Sequence, residues 1–143
     1  MSCELCSISP EKKIWENSYF YVIDAGNDQY PVFIRLIAQD HIKEMSDLPH
    51  PVFLHMCRLM KTIEMAVRQY TQCDKINWAQ FGCFVPHLHW HCIARWENDI
   101  NYPATPWNEP TRLLTKDQLH KYQNYKVALL RALPKLLTQV QVP

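Results

Sequence analysis

Val85-Pro86-His87-Leu88-His89-Trp90-His91-Cys92-Ile93 is the stretch on which the reading of this chain turns. Histidines alternate with apolar residues. Successive side chains on a strand point to opposite faces. The spacing therefore puts His87, His89 and His91 on one face and sends Leu88, Trp90 and Cys92 toward a core. A helix would scatter three imidazoles around its surface, so the alternation predicts a strand. One metal ion is a poor focus for all three rings. At about 3.3 Å per residue, the Cα atoms of His87 and His91 lie about 13 Å apart on a strand. A zinc–nitrogen bond is only about 2.0–2.1 Å, and strand side chains stand roughly perpendicular to the sheet. Two readings remain: a His-x-His pair sharing a metal, or a row that divides its labour along a substrate. The second suits a phosphate, which needs a nucleophile at phosphorus and donors at its oxygens.

Around this stretch the chain reads as one domain, 1–143, with a helical tail from about 111 to 143. Its 143 residues are enough for a sizeable core. Fifteen Lys+Arg against fourteen Asp+Glu give no general surface for nucleic acid or membrane. No apolar run is long enough to span a bilayer, and Met1-Ser2-Cys3-Glu4 does not resemble a secretion signal. With scattered cysteines, this predicts a cytoplasmic protein without a disulfide framework. Cys57, Cys73, Cys83 and Cys92 are expected to pack as small hydrophobes.

Upstream, Ile14–Asn17 and Tyr19–Asp24 are rich in β-branched and aromatic residues and read as strands. Gly26 sits in the turn that follows, where a permissive backbone is useful. Val32–Ile37 reads as a third strand, antiparallel to the second, with Pro31 at its start. Ser46 or Asp47 is a candidate cap for the long amphipathic helix expected over about Pro51–Thr71, with His50 and His55 at its surface or edge. Lys75–Phe81 reads as the fourth strand, and Gly82 turns the chain into the histidine strand. Glu97–Pro110 is an aromatic, proline-rich ordered loop carrying Trp107. A second helix is expected from Thr115, its N-cap, to about Leu137, with Pro134 as a kink or break. The class is α+β: an antiparallel sheet of about five strands with two helices packed on it. Near the N-terminus, Cys3-Glu4-Leu5-Cys6 is either a redox pair or half of a zinc site; no βαβ context follows to favour the former.

His87-Leu88-His89-Trp90-His91-Cys92-Ile93 resembles the histidine triad (HIT) motif, His-φ-His-φ-His-φ-φ with φ apolar. Asn77…Gly82 and Arg95-Trp96 also resemble the family, and the likeness runs from about Cys3 to Trp107. It implies a HIT-like fold and a homodimer. It implies a hydrolase or transferase that attacks the α-phosphate of a nucleoside phosphate conjugate, a phosphoramidate or a dinucleoside polyphosphate, through a nucleotidyl-histidine. His89 would be the nucleophile and His91 its phosphate-holding neighbour. Asp24 would hold ribose hydroxyls, and Asn77 and the backbone near Gly82 the phosphate. In relatives with the N-terminal cysteine pair the resemblance implies structural zinc on Cys3, Cys6, His41 and His87. Three positions depart from the pattern: Phe33 where many members have histidine, Ala38 where they have proline, and Phe84 where phosphoramidate-cleaving members carry a hydroxyl. The alternatives are a zinc-stabilised nucleotide binder with little catalysis, and a metalloenzyme built on His89 and His91.

Overall fold

The computed structural model describes residues 2–143. Five strands form one antiparallel sheet: β1 Lys13–Glu16, β2 Phe20–Asp24, β3 Phe33–Ala38, β4 Lys75–Ala79 and β5 His89–Arg95. Their order is β1-β2-β3-β5-β4. Two helices, α1 His50–Thr71 and α2 Lys116–Thr138, complete the α+β, HIT-like architecture.

The period-2 pattern decides which face does what. Phe20 and Val22 of β2, Ile34 and Leu36 of β3, and Cys92 and Ala94 of β5 turn to one side. There they meet Met56, Leu59, Ile63, Ala66 and Val67 of α1, and Tyr122, Leu129, Leu133 and Leu137 of α2. The helical residues recur every three, four or seven positions, the spacing of one helix face. The opposite side of the sheet is covered by irregular chain. Leu5 packs on Tyr21, Ile23 and Ile37 near one end. Ile100 packs with Tyr30, Phe33 and Ile93 at the other. Between these two covers the sheet stays open, and His89 and His91 face the opening.

Several boundaries differ from the sequence expectation, each for a local reason. β5 starts at His89, not Val85, so the expected row of three histidines on one strand becomes a pair. Gly82 has φ +151°, a conformation L side chains rarely adopt, and Pro86 has no N–H to give a ladder. The chain from Gln80 to Leu88 therefore leaves the sheet. Leu88 N–H instead donates to Ile42 O at 2.8 Å, which draws the connector bearing His41 alongside His87. Helix α1 is not capped by Ser46 or Asp47. Asp47 closes a capping box with Glu44 on a separate 3₁₀ turn, and α1 begins with Pro51 in its first turn, where a missing N–H costs nothing. Thr115 does cap α2, accepting from Gln118 N–H at 3.1 Å. α2 runs through Pro134 without ending.

His55 is not an edge residue. It is 0 % exposed. Asn17 Oδ1 accepts from the N–H groups of Tyr19 and Phe20, which leaves its amide NH₂ to donate to His55 Nε2 at 2.8 Å. His55 Nδ1–H then donates to Gln141 O at 2.9 Å and ties the chain end to the sheet. Cys57 and Cys83 are exposed, not packed as expected; all six cysteines are free thiols. Gly26 has no positive φ. A Cβ there would collide with Pro31 O, so close backbone approach is what requires glycine. Among the described residues no helix is long and apolar enough to cross a membrane.

Candidate active site and metal cluster

The opening on the sheet is a cavity of about 530 Å³. Its floor is His89 and His91 of β5 with Arg35 of β3, which stands opposite His91 in register. Leu5 and Glu4 form one wall, and the irregular segment Phe81–Val85 and Trp107 form the others.

His89 is oriented by its own chain. Its Nδ1 lies 2.6 Å from His87 O. A carbonyl only accepts, so Nδ1 carries the proton and Nε2 keeps its lone pair. That is the tautomer a nucleophile at phosphorus needs. His91 stands in an aromatic box, its ring centroid 5.4 Å from Phe33, 6.0 Å from Phe81, 5.7 Å from Trp107 and 5.0 Å from His89. Neither of its ring nitrogens has a hydrogen-bond partner. Burial, then the charges of Arg35 and His89, push its pKa down to about 4, so it is neutral at physiological pH. Arg35 Nε is likewise buried without a partner. Three unpaired buried polar atoms on two groups facing one cavity, His91 and Arg35, make it a site with unmet hydrogen-bonding capacity.

The other expected residues divide. Gly82 lines the cavity, and its neighbours carry the rim. Phe84 projects fully into solvent, 102 % exposed. Asn77 shares the sheet face but lies beyond the Phe81–Trp107 pair, in an adjoining hollow. Its Oδ1 accepts from Arg95 Nη1 at 2.7 Å. Asp24 is not brought to the cavity. Its Oδ2 pairs with Lys126 Nζ at 2.9 Å, and its Oδ1 accepts from Gly26 N–H at 2.8 Å. Arg35 did not feature among the expected site residues. Its signal was available: it is the one charge in the apolar run Val32–Ile37.

Cys3, Cys6, His41 and His87 come together beside this cavity, with their ligand atoms all within 4.8 Å of one another. Cys3 Sγ and Cys6 Sγ are 3.5 and 3.4 Å from His87 Nδ1, and Cys6 Sγ is 3.3 Å from His41 Nδ1. Tetrahedral zinc with ordinary bond lengths sets a sulfur–nitrogen edge of about 3.6 Å. The donors therefore fit zinc in kind, number and spacing. The outer contact fits as well. His87 Nε2–H donates to Ala38 O at 2.7 Å, which leaves Nδ1 unprotonated on the metal side. The two sites share a wall and a residue. Glu4 and Leu5, between the cysteines, line the cavity, and the carbonyl of His87 holds His89.

A strand-borne histidine pair in a cavity, preceded by a third histidine in a Cys₂His₂ cluster, defines a histidine-triad type of site. The sequence profile of the HIT domain matches residues 7–98, and the chain belongs to the HIT family. The fold is similar to that of a histidine triad protein from Marinobacter aquaeolei VT8, with TM-score 0.69, 24 % identity and 90 % of each chain covered. It is similar to a histidine triad protein from Bradyrhizobium japonicum, with TM-score 0.68, 24 % identity, and 90 % of this chain and 97 % of that one covered. It is also similar to a Zn-bound histidine triad family protein from Mycobacterium smegmatis, with TM-score 0.56, 21 % identity, and 92 % and 95 % covered. No curated protein matches the sequence.

Proposed function

We propose that this protein is a nucleotidyl hydrolase or transferase whose nucleophile is His89. The observation that carries the reading is the 2.6 Å bond from His89 Nδ1–H to His87 O, which leaves Nε2 free in a cavity with an unpaired arginine and an unpaired histidine. Nε2 attacks the α-phosphorus of a nucleoside phosphate conjugate. A P–N bond forms, the bond to the leaving group breaks, and the leaving group departs with the electron pair. The imidazole gains positive charge, and the carbonyl at Nδ1–H stabilises it. Water then attacks phosphorus, loses a proton to solvent, and returns the P–N electron pair to His89. His91 and the backbone at Gly82 hold oxygens of the attacked phosphate. In this reading Asp24 meets a ribose only by releasing Lys126, and Asn77 acts from behind the aromatic pair. The active unit is a homodimer, as the resemblance implies. The test is a quenched incubation with adenosine and guanosine phosphoramidates and a dinucleoside tetraphosphate, followed by intact mass analysis. A nucleotidyl adduct mapping to His89 is expected; monophosphate release with no adduct on that histidine would exclude the covalent route.

Zinc on Cys3, Cys6, His41 and His87 completes the proposal as a structural ion. It pins the N-terminal segment that walls the cavity. Elemental analysis of protein from zinc-supplemented cells should find about one zinc per chain, and Cys3→Ser/Cys6→Ser well below that. Losing the clamp should lower the Tm by about 10 °C, corresponding to about 3 kcal/mol for a chain of this size. Wild-type protein with far less than one zinc, or a double variant with unchanged Tm, would remove the ion from the account.

A further inference from the structure

We propose that Arg35 binds a second phosphate, beyond the one His89 attacks, and so makes this site prefer nucleotides with a phosphate chain. The inference rests on the cavity being the nucleotide site. Arg35 lies on the face of β3 that carries Phe33 and Ile37, directly across from His91. Its neighbours in the strand are apolar, and its guanidinium carbon stands 5.4 Å from the Phe33 ring centroid. Among the described residues its side chain has no ion pair and no hydrogen bond, and its Nε is buried. Arginine stays charged under all physiological conditions, and the face of the Phe33 ring offsets only part of the cost of a charge that has no anionic partner. Among the described residues no carboxylate pairs with it. Glu4 is the one acidic residue in the lining, and it is exposed and unpaired with Arg35. A ligand anion is therefore the partner this guanidinium lacks. Its planar fork suits phosphate, which it grips through two parallel bonds.

Position decides which phosphate. The attacked group must sit at His89 Nε2, near the Gly82 backbone. Arg35 is one strand over and one pair further along, beside His91. Adjacent strands are about 4.8 Å apart, and a long side chain extends that reach along the cavity. Its oxygens are thus the next ones out. The rim agrees. Phe84 offers no hydroxyl to protonate an amine leaving group, whereas a phosphate chain leaves as a stable anion that a cation holds.

Titration calorimetry on the full chain tests this with matched ligands: AMP against α,β-methylene-ADP, and GMP against α,β-methylene-GDP. Wild type should bind the bisphosphonate of at least one pair about 10-fold more tightly than its monophosphate, the scale of one charge-assisted contact. Arg35→Leu should shrink that ratio to about twofold or less, with Arg35→Lys in between, since a point charge keeps attraction but loses the fork. Equal affinity within both pairs, no binding of either pair, or an unchanged ratio in Arg35→Leu would each overturn the proposal. Repeating the titration in His89→Ala separates it from the nucleophile assignment. The ratio should survive there, so a missing His89 adduct would reject the covalent route and leave this result standing.

Discussion

His89→Ala should lose turnover by at least about 10⁴-fold, or roughly 5 kcal/mol in the barrier, while still binding mononucleotide. The size follows from what disappears. Without Nε2 there is no group in the cavity with the same geometry. His91 sits in its aromatic box with no carbonyl to fix a tautomer, and Cys83 is on the exposed rim. His89→Gly with added imidazole distinguishes a nucleophile from a merely positioning residue. The free ring fits where the side chain stood, and should restore part of the rate in proportion to its neutral form. His91→Gln should cost less, about 10²-fold, because in the proposed mechanism it removes a phosphate contact and leaves the nucleophile. Turnover within tenfold of wild type in His89→Ala would place the chemistry elsewhere.

How far residues announce such a site depends on how local the determinant is. His89 and His91 were legible because period-2 alternation is written into adjacent positions. The two helices and the antiparallel pairing of β2 with β3 followed from the same kind of local pattern. His87 looked like the third member of the row. Its departure comes from Gly82 and Pro86, which pull the preceding chain off the sheet, and from the Leu88–Ile42 bond, whose partner is remote in sequence. The Cys₂His₂ cluster emerged only through the family motif, since its ligands span Cys3 to His87. His55 reads as an edge residue because it is polar and near the helix start, yet it lies four and eight residues before Leu59 and Ile63, on the same buried face. What buries it is the chain end folding over α1, which periodicity cannot see. Arg35 does not announce itself in the sequence, because an arginine in an apolar strand ordinarily carries its charge out to water. Here the Nε is buried and the face opens on a cavity.

Arg95→Met should destabilise the protein by about 3–5 kcal/mol, the cost of stranding a buried partner charge. Arg95 is 2 % exposed, and so is Asp99. Nε donates to Asp99 Oδ2 at 2.6 Å and Nη2 to Oδ1 at 3.2 Å, while Nη1 reaches Asn77 Oδ1 and Nη2 reaches Asn101 Oδ1. Asn101 in turn donates to Thr105 O and Asn108 O, each at 3.0 Å, so the network anchors the loop that delivers Trp107 to the cavity. Burial alone would raise the Asp99 pKa, but the Arg95 bonds and the N–H groups of Asn101 and Tyr102 hold it below the usual carboxylate value. In wild type that contribution is present above the unfolded carboxylate pKa and is lost as pH falls through the lowered one. With Arg95 gone, burial dominates and the sign reverses. The stranded carboxylate then costs stability at neutral pH, and the cost fades as it protonates. The gap between wild type and Arg95→Met should therefore be widest near pH 7 and narrow toward pH 4. Arg95→Met/Asp99→Asn should recover part of the loss at pH 7, because it removes the unpaired charge. Urea melts across that pH range measure all three proteins. A deficit under about 1 kcal/mol, or one that does not change with pH, would mean that water reaches Asp99 and that the loop carrying Trp107 is held by something other than this pair.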